Sequence, residues 1–339
     1  MMKKTFLMWA CSVLAAFALP ASAQIGIEVS LNRSIYMQYE PVYACVSLRN
    51  DSGRPLLFGS DPRFQGFVLF DIRDRDGRPV PQRPDAGISV TGLILRPGEI
   101  KRMVIPIHKY YDLDRTGRYT VRAFVSHNLL RHEYQSQSVR FRIERGVDVW
   151  SRTVGVADVD NSKSDAPSRS RTYTIRTMNE NSYKYYYLVV EDDRHVYGVM
   201  RVGRVIYSER FSAEVDMLSR IHLLMPISPK VFHYLSFSIE GDNVNNSYWK
   251  TTNTIPMLYR DPTSGIVSRI GGAEARRGVD FKDPDRGAQT VTQMMTADEL
   301  REAENAPPPK PTRASGKIDL GRDMEILSRD RDDEKDKKR

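Results

Sequence analysis

From Ile25 to Glu144, apolar and polar residues alternate over short runs, and turn residues close nearly every run. This alternation constrains the chain more than any other feature. A period of two sends successive side chains to opposite faces of a strand, so each run can bury only one face. Candidate strands are Ile25–Leu31, Val42–Leu48, Phe67–Arg73, Ile88–Leu95, Ile100–Ile107, Arg118–Ser126 and Val139–Glu144. Asn50-Asp51-Ser52-Gly53, Asp76-Gly77 and Arg96-Pro97-Gly98 supply turns between them; Asp-Gly in particular suits the positive φ of a hairpin. Short strands with frequent turns predict an all-β fold whose first domain, over 24–146, is a β-sandwich.

The pattern resumes further on. Tyr173–Met178, Tyr183–Glu191, Val196–Tyr207, Ile221–Met225, Val231–Ile239, Met257–Arg260 and Ile266–Ile270 read as strands, and they predict a second small β-rich domain over 171–272. A short amphipathic helix is expected around Glu214–Arg220. Residues 147–170 read as a linker, because Asp158–Ser170 is rich in Asp, Ser, Asn and Lys without apolar periodicity. From 273 to 339 the chain is dense in charge and proline, which predicts a disordered charged tail. Within it a short helix is expected over 296–306, with Thr296 and Glu299 as a capping box and Pro307-Pro308-Pro309 as the stop.

The first residues predict export. Lys3 and Lys4 precede an apolar run from Phe6 to Leu19, then Pro20 and the small residues Ala21-Ser22-Ala23. This is the layout of a signal peptide over 1–23, cleaved after Ala23. The run is short for a bilayer-spanning helix, which takes about 20 residues. Cys11 as a lipidated residue fits poorly, with the bulky Trp9 two positions before it. The expected localisation is periplasmic or extracellular. Cys45 would then remain as a lone thiol, read as a small buried hydrophobe rather than a nucleophile.

The segment Tyr39-Glu40-Pro41-Val42, followed by Asn50-Asp51-Ser52, resembles the opening of bacterial immunoglobulin-like modules. Leu95-Arg96-Pro97-Gly98-Glu99 and Leu113 to Val121 continue the likeness. In the latter segment the resemblance implies that Tyr119 folds back to hydrogen-bond the backbone at a sandwich corner. The order is also similar to BsuPI-type proteinase inhibitors and macroglobulin-like domains. The resemblance implies a fold and transfers no binding residues. From Ile221 to Gly272 the chain resembles uncharacterised secreted two-module bacterial proteins.

Chemical motifs are weak. Asp71, Asp74 and Asp76 fail the spacing of a calcium loop, and so do Asp158 and Asp160. His127 and His132, beside Glu133, do not have zinc-helix spacing. Asp112 and Asp114 read as corner acids rather than an acid–base pair. Tyr183, Tyr185 and Tyr187 should share one strand face, with Lys184 and Tyr186 on the other. These three tyrosines are the candidate ligand or partner surface. The formal net charge is +8, of which residues 1–23 hold +2 and residues from 273 onward −1, leaving +7 on the span between. Such a body suits an acidic partner. The expectation is therefore a non-enzymatic exported binding or scaffold protein of the cell envelope. It would need no cofactor, would not span the membrane, and would bind another protein or an envelope polymer rather than nucleic acid. The alternatives are a proteinase inhibitor presenting a sandwich loop and, last, an enzyme with a dispersed site.

Overall fold

The computed structural model describes residues 24–59, 61–84, 88, 90–156, 169–206 and 210–282. The expected signal peptide, most of the expected linker and the helix at 296–306 lie outside the described residues, as does the expected tail beyond 282.

Among the described residues, ten strands build the first part. They are β1 (Ile25–Leu31), β2 (Ile35–Met37), β3 (Tyr43–Asn50), β4 (Leu56–Leu57), β5 (Gly66–Asp74), β6 (Ile94–Leu95), β7 (Ile100–Pro106), β8 (Gly117–His127), β9 (Tyr134–Gln135) and β10 (Val139–Glu144). One sheet has the order β1-β3-β7; the other has β2-β10-β8-β5, with β9 also on β8 and β4-β6 as a separate pair. All pairings are antiparallel except β2 with β10, which is parallel. The alternation read from the sequence is the burial pattern of the strands. Ile25, Ile27, Val29 and Leu31 are buried, while Gly26, Glu28 and Ser30 are not. On β8, Tyr119, Val121, Ala123 and Val125 face the same core.

Eleven more strands follow among the described residues: β11 (Val147–Val156), β12 (Arg169–Glu180), β13 (Tyr183–Glu191), β14 (Val196–Arg204), β15 (Ser212–Val215), β16 (Ile221–Ser228), β17 (Val231–Phe237), β18 (Asn243–Lys250), β19 (Met257–Arg260), β20 (Val267–Ile270) and β21 (Ala273–Glu274). They form a sheet β11-β12-β13-β14, a sheet β15-β16-β17-β18-β21 and the hairpin β19-β20. Tyr173, Ile175, Leu188 and Val190 from the first of these sheets share a core with Ile221, Leu223, Leu235 and Phe237 from the second. Both halves are thus sandwich-like, and the chain is all-β.

Four expectations change. Val147–Val156, expected as linker, is a ten-residue strand paired with β12. It escaped notice because Asp148, Ser151, Arg152 and Thr153 interrupt its apolar residues, as suits an edge strand. The helix around Glu214–Arg220 is replaced by β15 and a turn. There, Asp216 Oδ1 accepts from the backbone N–H of Leu218 (2.9 Å) and Arg220 (2.8 Å), and Ser219 takes a positive φ of 60°. An Asp side chain that captures backbone donors competes directly with a helix. Of the strand expected over Ile88–Leu95, only Ile94–Leu95 pairs among the described residues. Past 272 the chain stays ordered in β21 and a bridge between Arg277 and Phe281, where Lys250 Nζ pairs with Asp280 Oδ1 at 2.6 Å.

Two polar groups organise the first sandwich, Asn50 fully buried and His108 half-buried. The Asn50 side chain donates to Arg54 O (2.6 Å) and Leu95 O (2.8 Å) and accepts from Ser52 N and Ser52 Oγ. His108 sits edge-on to Tyr43 with its Nδ1 at the Val42 backbone. Burial, helped by Lys109 and Arg83 and opposed by the Val42 hydrogen bond and Asp114, holds His108 below its ordinary value of 6.5. Asn50→Ala should cost about 1–3 kcal/mol in urea unfolding, because it leaves the buried Leu95 carbonyl without its donor and opens the turn at Arg54. The unfolded chain takes up the His108 proton first, so this site contributes no penalty above about pH 6.5 and a growing one as pH falls. His108→Gln should flatten that acid limb in a series of unfolding midpoints against pH.

Candidate functional site

The clearest concentration of chemistry lies where the two sandwiches meet. On β2, Tyr36 points into the first core while Ile35 and Met37 point out. They pack on Met178, Tyr185, Tyr187, Val189 and Val199, which lie on the outward face of β12, β13 and β14. Gly146 carries the chain across this junction with a φ of 76°. A Cβ there would come within 2.8 Å of Met37 Cε and 2.9 Å of Thr177 O. Glycine is required on both counts.

A charged network closes one side of the apolar contact. Arg33 pairs with Glu40 Oε1, donates from Nη1 to Tyr187 Oη at 3.0 Å and lies 3.8 Å from Glu180 Oε2. Glu40 Oε2 accepts from Met37 N at 2.8 Å. Arg201 approaches Glu180 Oε2 at 3.5 Å and stacks 3.4 Å from the Tyr185 ring centroid. Burial opposes the charged Arg33, but Glu40, Tyr187, Tyr36 and Glu180 outweigh it and hold its guanidinium well above the usual range. Burial raises the hydroxyls of Tyr36 and Tyr187, so both stay protonated and able to donate. The Arg33 guanidinium thus stays charged and the two hydroxyls stay neutral.

The three candidate tyrosines sit on this face. Tyr187 is fully buried and Tyr185 is 4% exposed, so both meet the first sandwich rather than an external ligand. Tyr183 stays half-buried beneath Arg204, whose guanidinium is 3.5 Å from its ring centroid. Tyr186 points the other way, into the second core against Phe211. The sequence reading of an open tyrosine surface is corrected accordingly, because its exposed side is occupied by β2. Arg33, Glu40, Glu180 and Arg201 were not anticipated. Only Glu40 stood out, and then as part of a resemblance; no local spacing links residues some 150 positions apart.

The remaining motifs resolve into structural roles. His127 is buried, with Nε2 at Leu57 O (3.0 Å) and Nδ1 accepting from Leu129 N (3.0 Å). Asp74 Oδ1 accepts from Asp76 N and Arg78 N in a turn where Gly77 has a φ of 79°. Asp114 pairs with Arg83 at 2.9 Å. Cys45 is 4% exposed beside Tyr43 and Val104. A second cluster had no sequence signal. Asp216 Oδ2 lies 3.1 Å from His222 Nε2, and His222 Nδ1 lies 2.8 Å from Tyr234 Oη. The carboxylate orients the ring, and the tyrosine occupies its other nitrogen. Among the described residues, no group of three or more His, Cys, Asp or Glu side chains could hold a metal ion.

Truncating one partner of a buried ionic network leaves the other charge uncompensated. Arg33→Ala should lose about 3–5 kcal/mol in urea unfolding, and Tyr187→Phe only about 1 kcal/mol. Equal losses in the two variants would contradict this account of the junction.

Against known proteins the chain gives little. No family model matches it, and no curated protein sequence matches it. Among solved structures it is similar to Spo0M, a sporulation control protein from Bacillus subtilis. The identity is 12% and the TM-score 0.21, over 55% of this chain and 91% of that one. A likeness at that level carries no argument about function.

Proposed function

We propose that the chain is a non-enzymatic exported binding or scaffold protein of the cell envelope, whose partner adds a strand to an open sheet edge. The observation that carries this reading is β11. Among the described residues it pairs only with β12. A bulge at Val149 interrupts its start, and Ser219 Oγ donates to Gly155 O (2.9 Å) near its end. The stretch Trp150–Val154 between them keeps regular register. A regular edge offers backbone donors and acceptors to an extended partner segment.

The first sandwich also supports the immunoglobulin-like reading. Its sheets β1-β3-β7 and β2-β10-β8-β5 follow the division expected for such a fold, with β5, β8 and β10 as the C, F and G strands. Tyr119, near the start of β8, donates to Arg115 O at 2.6 Å, which is the bond of a tyrosine corner.

A photo-reactive residue at Thr153, exposed on β11, should capture a protein in native envelopes. The same residue at Arg194, in the exposed turn after β13, should capture none. Capture at neither position removes the strand-addition reading. Potent inhibition across a protease panel would replace it with the proteinase-inhibitor alternative.

A further inference from the structure

The outward face of the sheet β2-β10-β8-β5 has a charge pattern that its own stability does not explain. Inward residues of β5, β8 and β10 fill the core, so the intervening residues face out. Arg118 stands directly opposite Arg142, and Thr120 stands between Arg73 and Arg140. Arg122 lies one row further along, opposite Asp71. Like charges opposite one another across a strand pair are destabilising. Two carboxylates temper the cluster: Asp71 pairs with Arg73 at 2.8 Å and Glu144 with Arg142 at 3.5 Å. Arg122 reaches Gln135. Arg118 and Arg140 are exposed and have no carboxylate within 4.0 Å among the described residues.

The same face becomes apolar at its other end. Leu69 is opposite Phe124, and Phe67 is one row beyond it. Phe67 and Leu69 are each 44% exposed, and Leu129, in the loop after β8, is 46% exposed. Arginines and exposed apolar side chains thus share one pleated surface, spaced as a grid across adjacent strands.

We propose that this face docks on an anionic phospholipid bilayer. The arginines meet lipid phosphates, and Phe67 and Leu69 enter the boundary between headgroups and acyl chains. A soluble acidic polymer would satisfy the arginines but leave the apolar end in water. A neutral apolar partner would leave Arg118 and Arg140 uncompensated. A bilayer with anionic headgroups accommodates both ends at once. This surface is distinct from the β11 edge, and the inference does not depend on strand addition there.

Vesicle flotation of the full chain tests the proposal. Vesicles of phosphatidylcholine with phosphatidylglycerol should bind the protein, and vesicles of phosphatidylcholine alone should bind it far less. The variant Arg118→Ala with Arg140→Ala should lose on the order of 30-fold in partitioning. Phe67→Ser with Leu69→Ser should lose the part of binding that survives high salt. Arg194→Ala with Lys230→Ala, exposed on the second sandwich, should change little. Every variant carries the same residues 1–23, so differences among them report the sheet face. Far-UV circular dichroism establishes that each variant keeps its strands. Equal binding to neutral vesicles, or full retention by the arginine variant, overturns the proposal. So does binding of soluble polyphosphate without flotation. None of these outcomes touches the Thr153 cross-link, which reads a different surface.

Discussion

The largely buried guanidinium of Arg33, on a side chain 13% exposed, is the constraint on which the junction depends. A charge moved out of water must be met by opposite charge and by hydrogen-bond acceptors in fixed places. Here those groups come from two sandwiches. Glu40 belongs to the turn after β2, while Tyr187 and Glu180 belong to the second sandwich. Satisfying Arg33 therefore sets β2 against β12 and β13. The apolar pair Ile35 and Met37 then has one place to go, and Gly146 supplies the backbone that lets the chain cross.

Much of the chain's chemically capable equipment is spent in the same way. His127 holds the backbone at Leu57 and Leu129, His222 bridges Asp216 and Tyr234, and Asn50 ties its own turn to Leu95. Each is a buried polar group whose partners lie far apart in sequence, and each fixes loops that carry little apolar area of their own. A side chain whose atoms are all engaged inside the fold orders it and leaves little for a substrate to reach. The two interactions proposed above accordingly use faces and edges: the open stretch of β11, and the arginine and apolar grid on β5, β8 and β10.

Strands that bury one face cleanly were readable from alternation. β1, β5, β8 and β10 match their expected spans closely, because each alternates apolar and polar residues against a single core. β11 was not readable. An edge strand needs little apolar area, and its polar residues resemble a connector. The turn at Asp216 was misread as helix for a related reason. Local composition there fits either structure, and the captured backbone donors decide it. The tyrosine strand shows the limit most clearly. Its shared face follows from a two-residue period. Whether that face meets water or another sandwich depends on where β2 lies.

Fold class, strand faces and the turns at Asp76-Gly77 and Asn50 were already legible in the order of residues, because these depend on periodicity and on local backbone preference. The tertiary structure alone decided how Arg33, Glu40, Glu180 and Arg201 come together, which tyrosines are covered, and how arginines from three strands make one surface. Those facts rest on register between distant strands, and a residue's own neighbours in the chain carry no record of it.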